Sequence, residues 1–321
     1  MVIDLHSHYV PLEAARSAGV GIDLTLLPDG DVRFETAGRI MLLESALFDL
    51  EQQQADLERQ RLTRRILTIP PFCFEYELPA GSGLRWAQHL NDGIATAAAA
   101  RSELFIGFAT LPLQDIDAAL AELERAVGEL GLRGIEIATN INGVELDDAI
   151  LEPFWQRVAQ LGVPVLIHPH YVVGPERMRD YYLRNLAGNP LETALAGARL
   201  VLGGVLERYP NLKIVLSHGG GALPGIFPRI MHGYSVRPES RLRATDPRAG
   251  FQRLYVDTIV FEARALRQLV ETVGATQIIL GTDYPFDMSL TDPVAFVEGS
   301  GLSVEDVRQI LENGERLLGG I

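Results

Sequence analysis

The stretch Val-Ile-Asp-Leu-His-Ser-His at residues 2–8 joins a short apolar run to two histidines, His6 and His8. In an extended chain, side chains two residues apart point to the same face of the strand. The stretch therefore predicts a buried strand whose end presents two imidazoles on one side, where both could bind one metal ion. Because His-x-His alone is weak evidence for a metal site, the prediction depends on further ligands at the ends of later strands.

Further runs that are typical of strands alternate with longer helical patterns along the chain. The predicted strands are residues 2–5, 66–69, 105–109, 134–138, 163–167, 213–216, 254–256 and 277–280. Strands that alternate with helices favour right-handed crossovers and a parallel sheet. Eight such units predict an α/β fold, a (β/α)8 TIM-type barrel with its site at the carboxyl ends of the strands. An open, doubly wound sheet is the alternative, although no Gly-x-Gly-x-x-Gly motif follows the first strand.

We interpret residues 1–321 as a single barrel domain with an insertion at about residues 9–39. Within the insertion, residues 22–27 and 32–34 flank Pro-Asp-Gly-Asp, a pattern that predicts a small hairpin after strand 1. This hairpin either covers the site or is a surface elaboration. Helices are predicted at residues 41–62, 84–101, 115–130, 147–161, 178–186, 191–207, 262–273 and 303–317.

The composition argues against two classes of function. A net charge of −14 argues against a nucleic-acid-binding surface, which would need a basic patch. No run of 18 uncharged apolar residues is present that could span a membrane. The single cysteine, Cys73, cannot form an internal disulfide, and the first residues do not resemble a signal peptide, so we expect a cytoplasmic protein.

Chemically active side chains gather where later predicted strands end. His168 follows the fifth strand, His218 the sixth and Asp283 the eighth. Since the carboxyl ends of barrel strands share one face, these side chains should converge with His6 and His8. Three imidazoles and a carboxylate suit a borderline divalent ion such as zinc. The pattern therefore predicts a metal centre.

Three further residues near the same strand ends are candidates for substrate binding. Asn140 follows the fourth strand and Phe286 the eighth, so both are expected to line the pocket. His170 lies two residues after His168, where it either lines the pocket or hydrogen-bonds to a metal ligand.

As a set, these stretches resemble the amidohydrolase superfamily, and within it the branch of aminocarboxymuconate-semialdehyde decarboxylase and related metal-dependent decarboxylases. The resemblance runs over most of the chain and is specific for the family, but it is much less specific for a substrate. It is carried by DLHSH (4–8), GFATLPLQ (107–114), LIHP (166–169), LSHGGGALP (216–224), RIMHGY (229–234) and LGTDYPF (280–286).

The resemblance implies roles for individual residues. His218 would be the acid/base beside the metal, and Asp283 would both touch the metal and carry a proton. Arg229 would bind the substrate carboxylate across a subunit interface, which implies a homodimer. The metal ligands implied by the resemblance are His6, His8, His168 and Asp283.

We expect one divalent ion, Zn²⁺, with Mn²⁺ as the alternative. Many hydrolytic relatives hold two metals bridged by a carboxylated lysine on strand four, but strand four has no lysine here and the only lysine is Lys213. Glu136 on that strand is a conceivable substitute bridge, although a buried structural role is the simpler interpretation. The first strand keeps His-x-His, whereas several manganese-dependent benzoate decarboxylases of the family have Glu-x-His, which favours zinc.

The leading hypothesis for function is a metal-dependent decarboxylase that acts on a small unsaturated or aromatic carboxylic acid. The alternative keeps the site and hydrolyses a lactone, an ester or a carbon–carbon bond, or hydrates a double bond. A catalytically silent barrel that serves as a binding module is a third hypothesis, against which the full set of ligands argues. Residues 51–54 and 260–262 depart from the pattern of the semialdehyde decarboxylase, so its dicarboxylate substrate is not expected here.

Overall fold

Short parallel strands form the centre of the molecule in this computed structural model, which describes residues 1–319. Numbered along the chain, the strands are β1 Ile3–Asp4, β2 Asp23–Leu26, β3 Val32–Thr36, β4 Arg39–Leu43, β5 Arg64–Leu67, β6 Phe105–Gly107, β7 Ile135–Ala138, β8 Asn140–Ile141, β9 Val144–Glu145, β10 Pro164–His168, β11 Lys213–Leu216, β12 Tyr255–Asp257 and β13 Ile278–Ile279. The α-helices are α1 Leu12–Ser17, α2 Leu50–Arg59, α3 Ala80–Ala100, α4 Ile116–Gly128, α5 Glu152–Leu161, α6 Asn189–Leu202, α7 Val205–Arg208, α8 Leu223–Val236, α9 Pro247–Phe251, α10 Ala263–Val273, α11 Pro293–Glu298 and α12 Val304–Leu317.

The parallel strands close on themselves. Strands β1, β5 and β6 form one sheet, and β7, β10, β11, β12 and β13 form another in that order. A bridge between Ala109 and Ile135 joins β6 to β7, and the hydrogen bond from Leu5 N to Leu280 O joins the first strand to the last at 2.9 Å. The predicted (β/α)8 barrel is confirmed, and the strand ends that carry the chemistry meet at one mouth.

The helices cover the barrel because their sequences place apolar residues on one face. In α10, Leu266, Leu269 and Val273 are buried at steps of three and four residues. Side-chain caps fix where several helices begin: Asp115 accepts from Ala118 N at 3.1 Å, and Ser303 accepts from Asp306 N at 3.1 Å. Within residues 1–319, no helix combines the length and the apolar character needed to cross a bilayer.

The segment after β1 forms an antiparallel sheet of β2, β3 and β4, one strand more than the predicted hairpin. It extends to Leu43, beyond the predicted bound near residue 39, and buries Val32, Phe34 and Leu43 against the barrel. The rings of Phe34 and Phe72 pack in a T-shaped arrangement, with 5.3 Å between their centroids. We propose that the chain is one domain with this sheet as its insertion.

The prediction of one helix over residues 41–62 is wrong. The apolar run Ile40–Leu43 pairs with β3 instead, a 3₁₀ turn follows at Ser45–Leu47, and α2 begins only at Leu50. Asp49 causes the late start, since its carboxylate accepts from Glu51 N at 2.8 Å and Gln52 N at 3.2 Å.

Two other helix boundaries also differ from the prediction. The helix expected over residues 178–186 is instead a short π-helix at Arg184–Gly188 that runs into α6. The helix expected over 191–207 divides into α6 and α7 at Gly203-Gly204, because Gly204 takes a left-handed φ of 71°. The π-helix lies beside the mouth of the barrel, where π-helical turns often accompany functional sites.

Candidate metal centre

Four side chains from three strand ends converge at the mouth of the barrel. His6 and His8 follow β1, His168 ends β10, and Asp283 follows β13. One donor atom from each lies within 4.8 Å of the corresponding atoms of the others, and all four residues are buried. The structure therefore brings together the complete set of predicted ligands.

The Nδ1 atoms of the three imidazoles are held by acceptors outside the cluster. His6 donates to Asp257 Oδ2 at 2.7 Å, His8 to Ile69 O at 3.0 Å and His168 to Pro169 O at 2.9 Å. A hydrogen bond donated by Nδ1 leaves the lone pair of Nε2 free to bind a metal, which is the usual arrangement of metal-ligating histidines. The Nε2 atoms of His6 and His168 are buried without a hydrogen-bond partner among the described residues. These orphaned atoms fit one divalent cation.

Asp283 lies between the imidazoles. Its Oδ1 is 3.3 Å from His6 Nε2, 3.0 Å from His8 Nε2 and 3.8 Å from His168 Nε2. Burial alone would raise the pKa of Asp283, but the imidazoles of His168, His218 and the other two ligands, which surround the carboxylate, hold it well below its usual value. A left-handed φ of 63° turns this side chain inward, and its amide donates to His6 O at 2.8 Å.

The imidazoles differ in how readily they take a proton. Burial lowers the pKa of His8, and it lowers that of His168 well below the ordinary value, so both are neutral as metal ligands must be. Burial also opposes protonation of His6, but the hydrogen bond to Asp257 and the nearby Asp283 carboxylate outweigh it and raise the pKa of His6 well above normal. The two carboxylates, Asp257 and Asp283, therefore favour a positive charge at this position.

His218 packs against the imidazoles of His6 and His168 and contacts the other carboxylate oxygen of Asp283. It follows β11, its Nε2 lies 3.4 Å from Asp283 Oδ2, and its Nδ1 is buried without a partner among the described residues. Its backbone is left-handed, with φ of 56°. The glycines that follow allow this turn: a Cβ on Gly221 would lie 2.2 Å from Pro190 O, at the start of α6.

Asp257 is a buried residue beside the cluster that the sequence analysis missed. Besides His6, it accepts from His218 N at 2.9 Å and Gly219 N at 2.8 Å. It is fully buried and follows the predicted strand 254–256 directly. Asp257 could have been found by the same signal as the other site residues, namely a polar side chain directly after a predicted strand.

A second group that the sequence analysis missed lies beneath the cluster. Asp4 accepts from Thr282 N at 3.0 Å and Thr282 Oγ1 at 2.6 Å, and it pairs with Arg65 Nε at 3.2 Å. The guanidinium also covers the ring of Tyr284, 4.0 Å from its centroid. These contacts tie Thr282 to β1 and Tyr284 to β5, on either side of Asp283.

Glu136 is not among the four donors. It is fully buried, its nearest oxygen lies 3.9 Å from His8 Nδ1, and its carboxylate has no hydrogen-bond partner among the described residues. Burial raises its pKa to about 8, so Glu136 is largely protonated at neutral pH.

Comparison with known proteins identifies the family. The sequence model of a family described as amidohydrolase matches residues 3–320. This chain belongs to the amidohydrolase family.

Similar proteins within the family are decarboxylases. The chain is 35% identical to the 2-amino-3-carboxymuconate-6-semialdehyde decarboxylase of Dictyostelium discoideum, over 99% of this chain and 89% of the relative. It is 31% identical to the gamma-resorcylate decarboxylase of Rhodococcus jostii strain RHA1, over 76% of this chain and 80% of the relative. A crystal structure of dihydroxybenzoic acid decarboxylase from Polaromonas sp. JS666, with bound manganese and 2-nitroresorcinol, matches with a TM-score of 0.82 and 25% identity, over 99% of this chain and 96% of the other.

Two adjoining cavities of this amidohydrolase reach the cluster at Asp283, and both also contact Asn185 and Asn189 of the π-helix and α6. The insertion-side cavity, about 330 Å³, lies between the antiparallel sheet and the barrel and reaches Arg39, His170 and Phe286. The Phe261 cavity, about 370 Å³, lies beyond His218 and reaches Phe261.

Two of the predicted pocket residues line the insertion-side cavity. The ring of Phe286 lies 5.1 Å from that of His8, and His170 packs edge-on against Tyr171 at 4.5 Å. Burial, with smaller contributions from Arg39 and Arg184, lowers the pKa of His170 to about 3, so it is a neutral hydrogen-bonding group. Arg39 of β4 reaches the same cavity, where it donates to Glu75 at 2.7 Å.

Asn140 and Arg229 do not line either cavity of their own chain. The Asn140 amide donates to Glu192 and to Tyr171 O, both at 3.0 Å, and so braces the loop after β10. Arg229 is exposed on α8. The geometry of this single chain therefore gives these two residues no contact with the cluster.

Proposed function

We propose that this amidohydrolase is a metal-dependent decarboxylase, a carboxy-lyase that removes CO2 from a small unsaturated or aromatic carboxylic acid. The observation that carries the proposal is the set of buried imidazole Nε2 atoms around Asp283, with His218 at the other oxygen of the same carboxylate. Relatives that share most of their length with this chain are named as decarboxylases, which supports the choice of reaction.

The cluster would hold one divalent ion through His6, His8, His168 and Asp283. Three nitrogens and one carboxylate oxygen are a donor set that Zn²⁺ prefers, so zinc is our choice. Manganese is the alternative, since the Polaromonas decarboxylase holds that ion. When bound, the ion supplies a positive charge that can hold an oxygen of the acid and stabilise the charge that develops beside it.

His218 and Asp283 would manage the proton. During decarboxylation the bond between the carboxylate carbon and the ring or diene carbon breaks, and its electron pair stays on the ring or diene. That carbon then takes a proton as CO2 leaves. His218 Nε2, 3.4 Å from Asp283 Oδ2, is placed to deliver it, and Asp283 would carry the proton to and from His218 through this contact.

Binding of the acid would use both cavities. His170 and Phe286 offer a neutral hydrogen-bonding group and an aromatic wall on the insertion side, and Asn140 would support the loop that carries His170. Arg229, exposed on α8, would bind the carboxylate of an acid in a partner subunit, because it has no access to its own site. The proposal therefore includes a homodimer, and the single cysteine is consistent with a cytoplasmic location.

A reaction screen on metal-loaded protein tests the proposal. Hydroxybenzoates, muconate-type acids and lactones would be supplied in ¹⁸O-labelled water, and CO2 release and label uptake would be followed together, with chelator-treated protein as the control. We expect CO2 release that depends on the metal and leaves no ¹⁸O in the organic product. Label in the product without CO2 would reject the decarboxylase and support the hydrolase or hydratase alternative.

A further inference from the structure

The two cavities beside Asp283 differ in the chemistry of their walls. The insertion-side cavity carries the charged groups Arg39, Arg184 and Asp287. The Phe261 cavity has His218 and Asp283 as the ionisable residues of its lining, and both belong to the catalytic cluster. The rest of its wall is largely apolar: Leu186, Pro190, Ile259, Val260, Phe261 and Met288.

Phe261 is held in an unusual conformation at the mouth of this cavity. Its φ is 61°, in the left-handed region that bulky residues rarely adopt, and 51% of its surface is exposed. Such a backbone costs free energy, and an exposed phenyl ring recovers little of it. His218 and Asp283, which reach the same cavity, are also left-handed. The ring would gain contacts if an apolar group entered between it and His218.

Val260 makes the inner wall of the same cavity rigid. It packs so closely against the loop after β11 that a Cβ on Gly219 would lie 2.4 Å from Val260 Cγ1. The backbone of Val260 is fixed as well, since its amide donates to Thr258 O at 2.9 Å. The apolar wall is therefore a preformed surface beside the acid/base group.

We infer that the Phe261 cavity is a specificity subsite that takes an apolar substituent of the acid, an alkyl chain or a second ring, on the His218 side of the metal centre. The inference rests on the proposed function for the acid itself and adds the class of substituent. A second carboxylate would have to be desolvated against this wall, where the described residues offer the neutral amides of Asn185 and Asn189 but no lysine or arginine to pair with it. The acid would thus be monocarboxylic, with an apolar group directed away from the insertion.

Direct binding tests the subsite without requiring turnover. The probes are benzoate, the 2-, 3- and 4-propylbenzoates, and the three benzenedicarboxylates, titrated calorimetrically into the metal-loaded full chain. Each buried methylene gives about fourfold in the dissociation constant, so at least one propylbenzoate should bind tenfold or more tighter than benzoate. The benzenedicarboxylate whose second carboxylate occupies the ring position of that propyl group should not bind tighter than benzoate.

The variants Phe261→Asn and Val260→Thr test whether the tighter binding of propylbenzoate arises in the Phe261 cavity. Asparagine tolerates the left-handed backbone while removing the ring, and threonine keeps the shape of valine while adding a hydroxyl. Each should reduce the ratio between propylbenzoate and benzoate affinity to threefold or less. Leu242→Ser is the control, because Leu242 is 81% exposed but lines neither cavity.

The outcomes separate this inference from the proposed reaction. A Phe261-dependent propyl gain supports the subsite even if the screened acids release no CO2. Equal affinity for benzoate and every propylbenzoate overturns it, as does a gain that both variants retain or a preference for the dicarboxylates, even if CO2 release is observed.

Discussion

Asp257 accepts a hydrogen bond from His6 Nδ1 at 2.7 Å, and both side chains are completely buried. The same carboxylate accepts from the backbone amide of His218 at 2.9 Å. One side chain therefore orients a predicted metal ligand and fixes the loop that carries the predicted acid/base group. Carboxylates that hold metal-ligating imidazoles typically contribute strongly to metal affinity.

Replacing Asp257 with asparagine should weaken metal binding by roughly 10–100-fold, because the amide no longer favours the tautomer with its lone pair at Nε2. The dissociation constant can be measured by competition with a chromophoric chelator. Asp117→Asn is the control, as Asp117 is exposed in the first turn of α4. Unchanged affinity in Asp257→Asn would show that the contact with His6 does not tune the metal.

His8→Ala should lose metal and activity together, because the remaining cluster offers only three donors. Metal analysis after dialysis gives the stoichiometry, and His232→Ala, an exposed histidine on α8, should keep the value of the unaltered protein. Full occupancy in His8→Ala would remove His8 from the set of ligands.

His218→Asn should retain the metal while turnover falls by about 10²-fold or more, the effect expected when an acid/base group is removed. Asparagine is suitable because it tolerates the left-handed φ of 56° at this position. Metal content and CO2 release are measured on the same sample, so that loss of the ion is not mistaken for loss of the proton donor. Near-normal turnover would end the assigned role.

The ligands could be predicted from sequence because the fold places all carboxyl strand ends on one face. A strand prediction correct to within about two residues was enough to assign His168 and Asp283 to the same end of the barrel as His6. The run Ile40–Leu43 was harder, since a short apolar stretch has no period that separates a strand from a helix. Only its pairing with β3 decides the matter.

Contacts that depend on strand register could not be predicted from the sequence. Asp4 and Arg65 stand directly opposite each other in the pairing of β1 with β5, and a shift by one residue would turn Arg65 to the other face. The adjacent arginines Arg64 and Arg65 give no sign in the sequence of which one is buried or of its partner. The same limit applies to Arg39, whose contact with Glu75 depends on how the insertion folds back over the barrel.

Arg65→Met should destabilise the protein by about 3–5 kcal/mol, because it leaves the buried Asp4 carboxylate without its counter-charge. Urea unfolding of metal-free protein measures the change. Arg64→Met is the matched control: Arg64 is the preceding residue and makes an exposed contact with Glu103 O. The double variant Arg65→Met/Asp4→Asn should recover part of the loss, and a still larger loss would mean that the charge of Asp4 is not the cause.

The buried carboxyl group of Glu75 should make stability depend on pH in an unusual direction. Burial raises the pKa of Glu75 from its ordinary value of 4.5 to about 7, with Arg39 opposing the shift. The folded state then binds this proton more tightly than the unfolded chain, so the contribution of Glu75 to stability is lost as pH rises from about 4.5 to 7. Relative to Glu75→Gln, the unaltered protein should lose on the order of 1–3 kcal/mol between pH 4.5 and 8. Urea unfolding across that range measures the difference, with Glu77→Gln as the control, since Glu77 is exposed and lies 3.8 Å from the same guanidinium. A constant difference between the unaltered protein and Glu75→Gln would show that Glu75 is already ionised throughout, with Arg39 outweighing burial.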